Sequence, residues 1–158
     1  MRATTFLALL LCLGPLNADE LNVIVSGKAY HTSGRGLNED NYGLGLQYDF
    51  DQRRGWIPLV NFASFKDSND NTSRYLGAGI KHRFKLAPRS DPLNFDAGIF
   101  ALAMKRPDYN DDEPFFGALP FVSLSNAWGG INLTYVPSLE PDMHAFWYFQ
   151  FSLKLAEF

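Results

Sequence analysis

Between Phe146 and Leu155 the chain alternates without a break. Trp147, Phe149, Phe151, Leu153 and Leu155 share one face, and Tyr148, Gln150, Ser152 and Lys154 share the other. A period of two over that length makes a β-strand; a helix would scatter those aromatics around its surface. The same rule sets Tyr42, Leu44, Leu46, Tyr48 and Phe50 against Gly43, Gly45, Gln47 and Asp49. It also sets Leu76, Ala78, Ile80, Phe84 and Leu86 against Gly77, Gly79, Lys81, Arg83 and Lys85. Turn-rich breaks divide the chain into eight such segments, near 21–30, 41–50, 56–66, 75–86, 93–104, 115–126, 130–137 and 144–155. A tilted strand needs about 9–11 residues to cross a bilayer, and single-chain outer-membrane barrels use even strand numbers from eight upward. The expected fold is all-β: an eight-stranded antiparallel transmembrane β-barrel.

The ends of the chain agree with export. Arg2, an apolar stretch from Phe6 to Leu13 and the small Ala18 read as a signal peptide over residues 1–18, leaving one barrel domain over 19–158. Cys12 falls inside that leader, so the mature chain holds no cysteine and uses no disulfide. Without Arg2 the 14 basic residues fall to 13 against 17 acidic ones, a formal charge of −4. The basic residues are scattered and no basic helix appears, so no nucleic-acid partner is expected. A soluble barrel or sandwich would also alternate, but it would have to cover the Trp147–Leu155 stripe.

The inward face carries Gly43, Gly45, Gly77, Gly79 and Gly98. Glycine weakens a strand, so its repetition argues for space inside, and the blurred alternation around Phe65, Leu119 and Phe121 argues for a partly apolar interior. The expectation is a slot for a hydrocarbon chain in place of a water pore. With the amino terminus in the periplasm, the loops near 31–40, 67–74, 105–114 and 138–143 face outside. The run Phe65-Lys66-Asp67-Ser68 and His31 then share one rim, with Lys66, Arg74 and Lys105 nearby. Pro120 inside the sixth segment and Pro137 at the end of the seventh lack amide donors. Neighbouring strands that each carry one leave room for a lateral gap in the ladder.

Together these residues resemble the lipid A palmitoyltransferase family of Gram-negative outer membranes, PagP. Phe65-Lys66-Asp67-Ser68 is similar to that family's catalytic Asp-Ser segment, and His31 to its catalytic histidine. Leu119-Pro120-Phe121-Val122-Ser123 and Leu133-Thr134-Tyr135-Val136-Pro137 resemble its paired proline motifs, and Phe146–Phe151 its last strand. Gly79, with Gly77 beside it, resembles the glycine at the floor of its acyl-chain pocket. The prolines that flank the family's first two strands are absent, with Ser26 and Asn41 near their places.

The resemblance implies a barrel that moves a palmitoyl chain from a glycerophospholipid to lipid A. It implies sideways access of substrate at Pro120 and Pro137, and an active site facing outside the cell. Outside the cell no coenzyme A or nucleotide is at hand, so the acyl donor is expected to be an ester already in the membrane, with no cofactor. No metal is expected, and the chain is expected to be a monomer in the outer membrane. Histidine is the side chain whose titration suits a base near neutral pH. His31 is therefore expected as base, Asp67 as the carboxylate that orients it, and Ser68 as nucleophile or transition-state donor. One alternative is a lipid A deacylase built on His31-Thr32-Ser33; another is a non-catalytic barrel that binds lipid.

Overall fold

A computed structural model of the chain describes residues 18–31, 38–87, 92–107, 109–138 and 145–158. The expected leader lies, apart from Ala18, outside the described residues, as do Thr32 and Ser33. Eight strands follow in chain order: β1 (Ala18–His31), β2 (Asp40–Phe50), β3 (Trp56–Lys66), β4 (Thr72–Ala87), β5 (Leu93–Lys105), β6 (Phe115–Ser125), β7 (Gly129–Val136) and β8 (Phe146–Glu157). Each pairs antiparallel with its neighbours, and β8 returns to β1 to close the barrel. The expected all-β, eight-stranded antiparallel transmembrane architecture is therefore the observed one. β4 starts earlier than the alternation suggests because Thr72 and Ser73 pair with Lys66 and Phe65.

Leu44, Leu46, Phe62, Leu76, Ile80, Ile99, Phe151 and Leu153 stand exposed on the outside of the cylinder. Tyr30, Tyr42 and Phe116 extend that band at one end, and Trp56, Phe84 and Trp128 at the other. An apolar belt flanked by aromatic girdles is the surface that a bilayer requires of a barrel. The turns at the second end are tight. Arg53 and Trp56 exchange backbone hydrogen bonds of 2.8 and 3.0 Å around Arg54 (φ 53°) and Gly55 (φ 88°). Two positive φ values in a two-residue loop match the right-handed twist of the flanking strands. Asn126 Oδ1 accepts from Trp128 N and Gly129 N to shape the β6–β7 turn.

One irregularity decides which side chains reach the rim. In β1, Glu20, Asn22, Ile24 and Ser26 point inward, and strict alternation would then send His31 outward. An extra residue between Ser26 and Lys28 breaks the register with both β2 and β8. Ala29 and His31 consequently turn to the interior while Lys28 and Tyr30 face out. A bulge that re-aims a side chain beside a site is a familiar use of the device.

The bore has two unlike halves. At the tight-turn end Lys81 Nζ lies 2.7 Å from Asp49 Oδ2 and 3.1 Å from Asp96 Oδ2. Arg83 grips Asp96 through two bonds of 3.0 and 3.1 Å, and Glu20 joins it to Lys154. These groups are held in place by one another, since a lone buried charge would be prohibitive. Removing one member leaves its partners uncompensated. Lys81→Met is expected to lower unfolding stability by about 3–5 kcal/mol, read from the urea midpoint of barrels folded into vesicles. A loss under about 1 kcal/mol, the size of an exposed pair, would contradict that role.

Candidate active site

The other half of the bore is hollow, a cavity of about 410 Å³, within the range of single-ligand sites. One wall is a chain of aromatic contacts. Phe100 meets Tyr75 with ring centroids 5.8 Å apart, Tyr75 meets Phe65 at 6.1 Å, and Phe65 meets Tyr148 at 5.6 Å. The closed end is polar: Asn61 Nδ2 donates to Gln47 Oε1 at 3.1 Å, and Gln150 Nε2 donates to Tyr75 OH at 3.2 Å. Gln47 Nε2 in turn donates to Asp49 Oδ1, which joins these amides to the ionic half.

The opposite wall is incomplete. β6 pairs with β5 along its whole length, and β7 with β8 from Gly129 to Val136, but β6 and β7 pair with each other only from Phe121↔Thr134 to Ser125↔Gly130. Beyond Phe121 the ladder stops. Consecutive residues from Phe115 to Leu119, whose side chains point alternately in and out, all line the cavity. A sealed sheet would show only every second residue to its interior, so the cavity opens sideways here. Pro120 stands at the first unpaired position and Pro137 just past the end of β7.

At the mouth, the residues after β3 form a turn. Asp70 N donates to Asp67 O at 3.1 Å, and Asp67 N donates to Asn71 O at 2.9 Å; Asp70 takes φ 63°, a conformation aspartate tolerates. Asn38 N donates to Ser68 O, so the segment leading into β2 is tied to the turn. Ser68 Oγ, lifted by this turn, lies 3.0 Å from His31 Nε2. That is the reach of a hydroxyl to its base. Two separate devices bring the pair together, a turn after β3 and a bulge in β1. The His31 ring packs at 5.1 Å on Phe146.

Two sets of expected site residues make contacts that the spacing does not show. The Asp67 carboxylate is engaged within its own turn. Its Oδ1 accepts from Asn69 N (2.9 Å) and Asn71 N (3.0 Å), its Oδ2 accepts from Ser73 Oγ (2.7 Å), and it makes no hydrogen bond to His31. Buried Asp67 therefore shapes the turn that presents Ser68. Gly77 and Gly79 face inward but line no part of the cavity, because the Phe100 ring lies over them. A Cβ at Gly77 would come within 2.6 Å of Phe100 Cζ, and one at Gly79 within 3.2 Å of Phe100 Cδ2. The glycines make room for a ring, and the ring bounds the hollow.

Sequence reasoning passed over Arg106, which lines the mouth with its Nε 3.6 Å from Asp67 Oδ2. It lies one residue beyond Lys105, and only the end of β5 distinguishes them. Lys105 pairs with Asp112 instead, Lys66 Nζ donates to Asp70 O, and Arg74 stands exposed. Among the described residues no cluster of three or more metal-ligating side chains occurs.

Comparison with known proteins matches residues 17–151 to the family described as antimicrobial peptide resistance and lipid A acylation protein PagP. A relative from Methylobacillus flagellatus, named lipid A acyltransferase PagP, is 32% identical over 101 residues, covering 64% of this chain and 53% of the relative. The chain thus spans about half the length of that relative. Among solved structures the chain is similar to Ail, the attachment invasion locus protein of Yersinia pestis. The identity is 14% and the TM-score 0.45, with 87% of this chain and 97% of that chain covered. The outer membrane protein Ail in a phospholipid bilayer nanodisc gives 14% identity and a TM-score of 0.42, with 86% and 99% covered.

The turn role of Asp67 has a measurable consequence. Asp67→Ala strips acceptors from two amides and a buried hydroxyl and is expected to cost about 1–3 kcal/mol, read from the urea midpoint. Asp67→Asn keeps a carbonyl oxygen for the amides and is expected to cost clearly less; equal losses would contradict the assignment.

Proposed function

The chain belongs to the PagP family, and from that premise we propose that it is an outer-membrane acyltransferase that moves a palmitoyl chain from a glycerophospholipid to lipid A. The observation that carries the reading is the position of the Ser68–His31 pair, 3.0 Å apart at the mouth of an apolar cavity that opens sideways. A phospholipid diffusing in the membrane plane slides its chain through the gap beside Pro120 and Pro137. Its methylenes then lie against Phe65, Phe100, Leu102 and Phe121, and its ester stops at the rim, which faces outside the cell. The protein works as a monomer.

The chemistry is ester exchange. His31 Nε2 accepts the proton of the attacking hydroxyl, which is Ser68's own in a two-step exchange or the acceptor's in a direct one. For that the ring must carry its hydrogen on Nδ1. The hydroxyl oxygen bonds to the ester carbonyl carbon, the bond to the glycerol oxygen breaks, and His31 returns the proton to the departing lysophospholipid. In the two-step form a lipid A hydroxyl repeats the sequence on the acyl-serine and Ser68 recovers its proton. No redox partner or activated donor enters, because an ester is consumed and an ester is made. Arg106 at the mouth is suited to a substrate phosphate as a charge-assisted donor. Asp67 acts through the turn.

The test is mass spectrometry of lipid A from cells with and without the protein. Gain of one palmitoyl chain is expected. His31→Ala and Ser68→Ala proteins that still insert are expected to lower the gain by at least about 100-fold. Unaltered lipid A would favour a non-catalytic barrel, and loss of a chain would favour a deacylase. A second outcome concerns chain length. Phe100→Leu opens the hollow toward Gly77 and Gly79 and is expected to lengthen the transferred chain, an unchanged distribution being the contrary result. Gly79→Met is expected to insert poorly, because its Cβ would stand 2.5 Å from Ile99 O and 3.1 Å from Phe100 Cα.

A further inference from the structure

Asn41 opens the inward row of β2, and its side chain is 2% exposed. It lines the cavity whose mouth also holds His31, Ser68 and Asn69. Its Nδ2 donates to Lys66 O at 2.8 Å, which fastens β2 to the residue before the Asp67–Ser68 turn and fixes which way the amide faces. Its Oδ1 is buried and has no hydrogen-bond partner. Buried amide oxygens in native proteins are overwhelmingly paired, and an exception calls for a cause. A second fact narrows that cause: the orphan is an acceptor, so what completes it must bring an O–H or N–H.

The two substrates differ in this respect. Around its scissile ester a glycerophospholipid offers carbonyl, ester alkoxy and phosphate oxygens, all of them acceptors, and a choline head group adds no donor. The acyl acceptor is by necessity a hydroxyl-bearing lipid, and lipid A adds further hydroxyls and amide N–H groups on its sugar. The reacting hydroxyl gives its proton to His31, so Asn41 is matched to a neighbouring donor on the same molecule. Resting on the acyltransfer reading, we infer that Asn41 Oδ1 accepts a hydrogen bond from a non-reacting O–H or N–H of lipid A. The contact positions the acceptor hydroxyl over the His31–Ser68 pair. Asn41 is thus a positioning and acceptor-recognition residue, and the donor phospholipid makes no use of it.

A kinetic split between the two substrates tests this, with purified protein in mixed micelles of phosphatidylcholine and lipid A. Asn41→Leu is expected to raise the KM for lipid A roughly three- to tenfold, the value of one lost hydrogen bond, while the KM for phosphatidylcholine moves far less. Equal shifts in both constants assign Asn41 to the architecture of the turn through Lys66 O and overturn the inference, as does no shift in either. Should the variant fail to insert, wild-type protein supplies the same reading with lipid A methylated singly at its amide nitrogens and non-reacting hydroxyls. One such methylation is expected to raise KM by the same factor, and the nitrogen and oxygen series show which donor is held. No response from any of them overturns the inference. Transfer by wild-type protein is the control: its absence removes the acyltransfer reading itself, whereas a failed split removes only the role of Asn41.

Discussion

Inside hydrocarbon every backbone N–H and C=O has to find a partner within the protein, and this requirement closes the barrel. The β1–β8, β4–β5 and β5–β6 seams meet it along nearly the whole lengths of their strands, whereas the β6–β7 seam meets it only from Phe121 to Ser125. The residues at the unpaired end suit an open edge. Pro120 has no N–H to leave unsatisfied, and Pro137 has none at the facing end. The proline pair lets a wall of β-structure stop pairing at limited cost. The hollow, its sideways opening and the exposure of both faces of β6 between Phe115 and Leu119 all descend from that interruption.

A barrel of eight strands is narrow enough for side chains to fill it, so holding a cavity in one half places a demand on the other. The Lys81, Arg83, Lys154 cations and the Asp49, Asp96, Glu20 anions bind strands β1, β2, β4, β5 and β8 across the bore. Their mutual attraction is screened less in the bore than at an exposed surface, and each charge offsets the cost of burying its partners. The amides of Gln47, Asn61 and Gln150 form the boundary between this polar half and the apolar one. On the proposed acyltransfer, a hydrocarbon chain descending from the rim would meet Phe100 on one side and amides at the end. The ionic half ties five strands together, and the hollow lies in the other half.

Much of the fold could be read from the chain. Period-two alternation in 41–50, 76–86 and 147–155 identified strands within a few residues, and the proline spacing anticipated the interrupted seam. His31 and Ser68 were placed on one rim by topology and were found 3.0 Å apart. The contacts that the spacing did not announce have local causes. Glycine at 77 and 79 was taken as hollow space, yet a residue without a side chain is equally a place for a neighbour's ring, and only the β4–β5 register shows that Phe100 is that neighbour. Asp67 next to Ser68 suggested a relay to histidine, whereas an aspartate at the start of a turn more readily caps the amides that come after it. The bulge that aims His31 inward leaves almost no trace in sequence, since Gly27 reads as one more small residue in a strand.

The central claim is that the hollow half of the barrel holds one acyl chain with its ester at Ser68 and its tail at Phe100. The most direct measurement is nuclear Overhauser contact between the labelled terminal methyl of a palmitoyl phospholipid and the side chains of a Ser68→Ala protein in a bilayer nanodisc. Contacts are expected from that methyl to Phe100 and Phe121, with the carbonyl-adjacent methylene near His31. Contacts confined to outward residues such as Ile99 and Phe151, with water signals alone inside the bore, would contradict it.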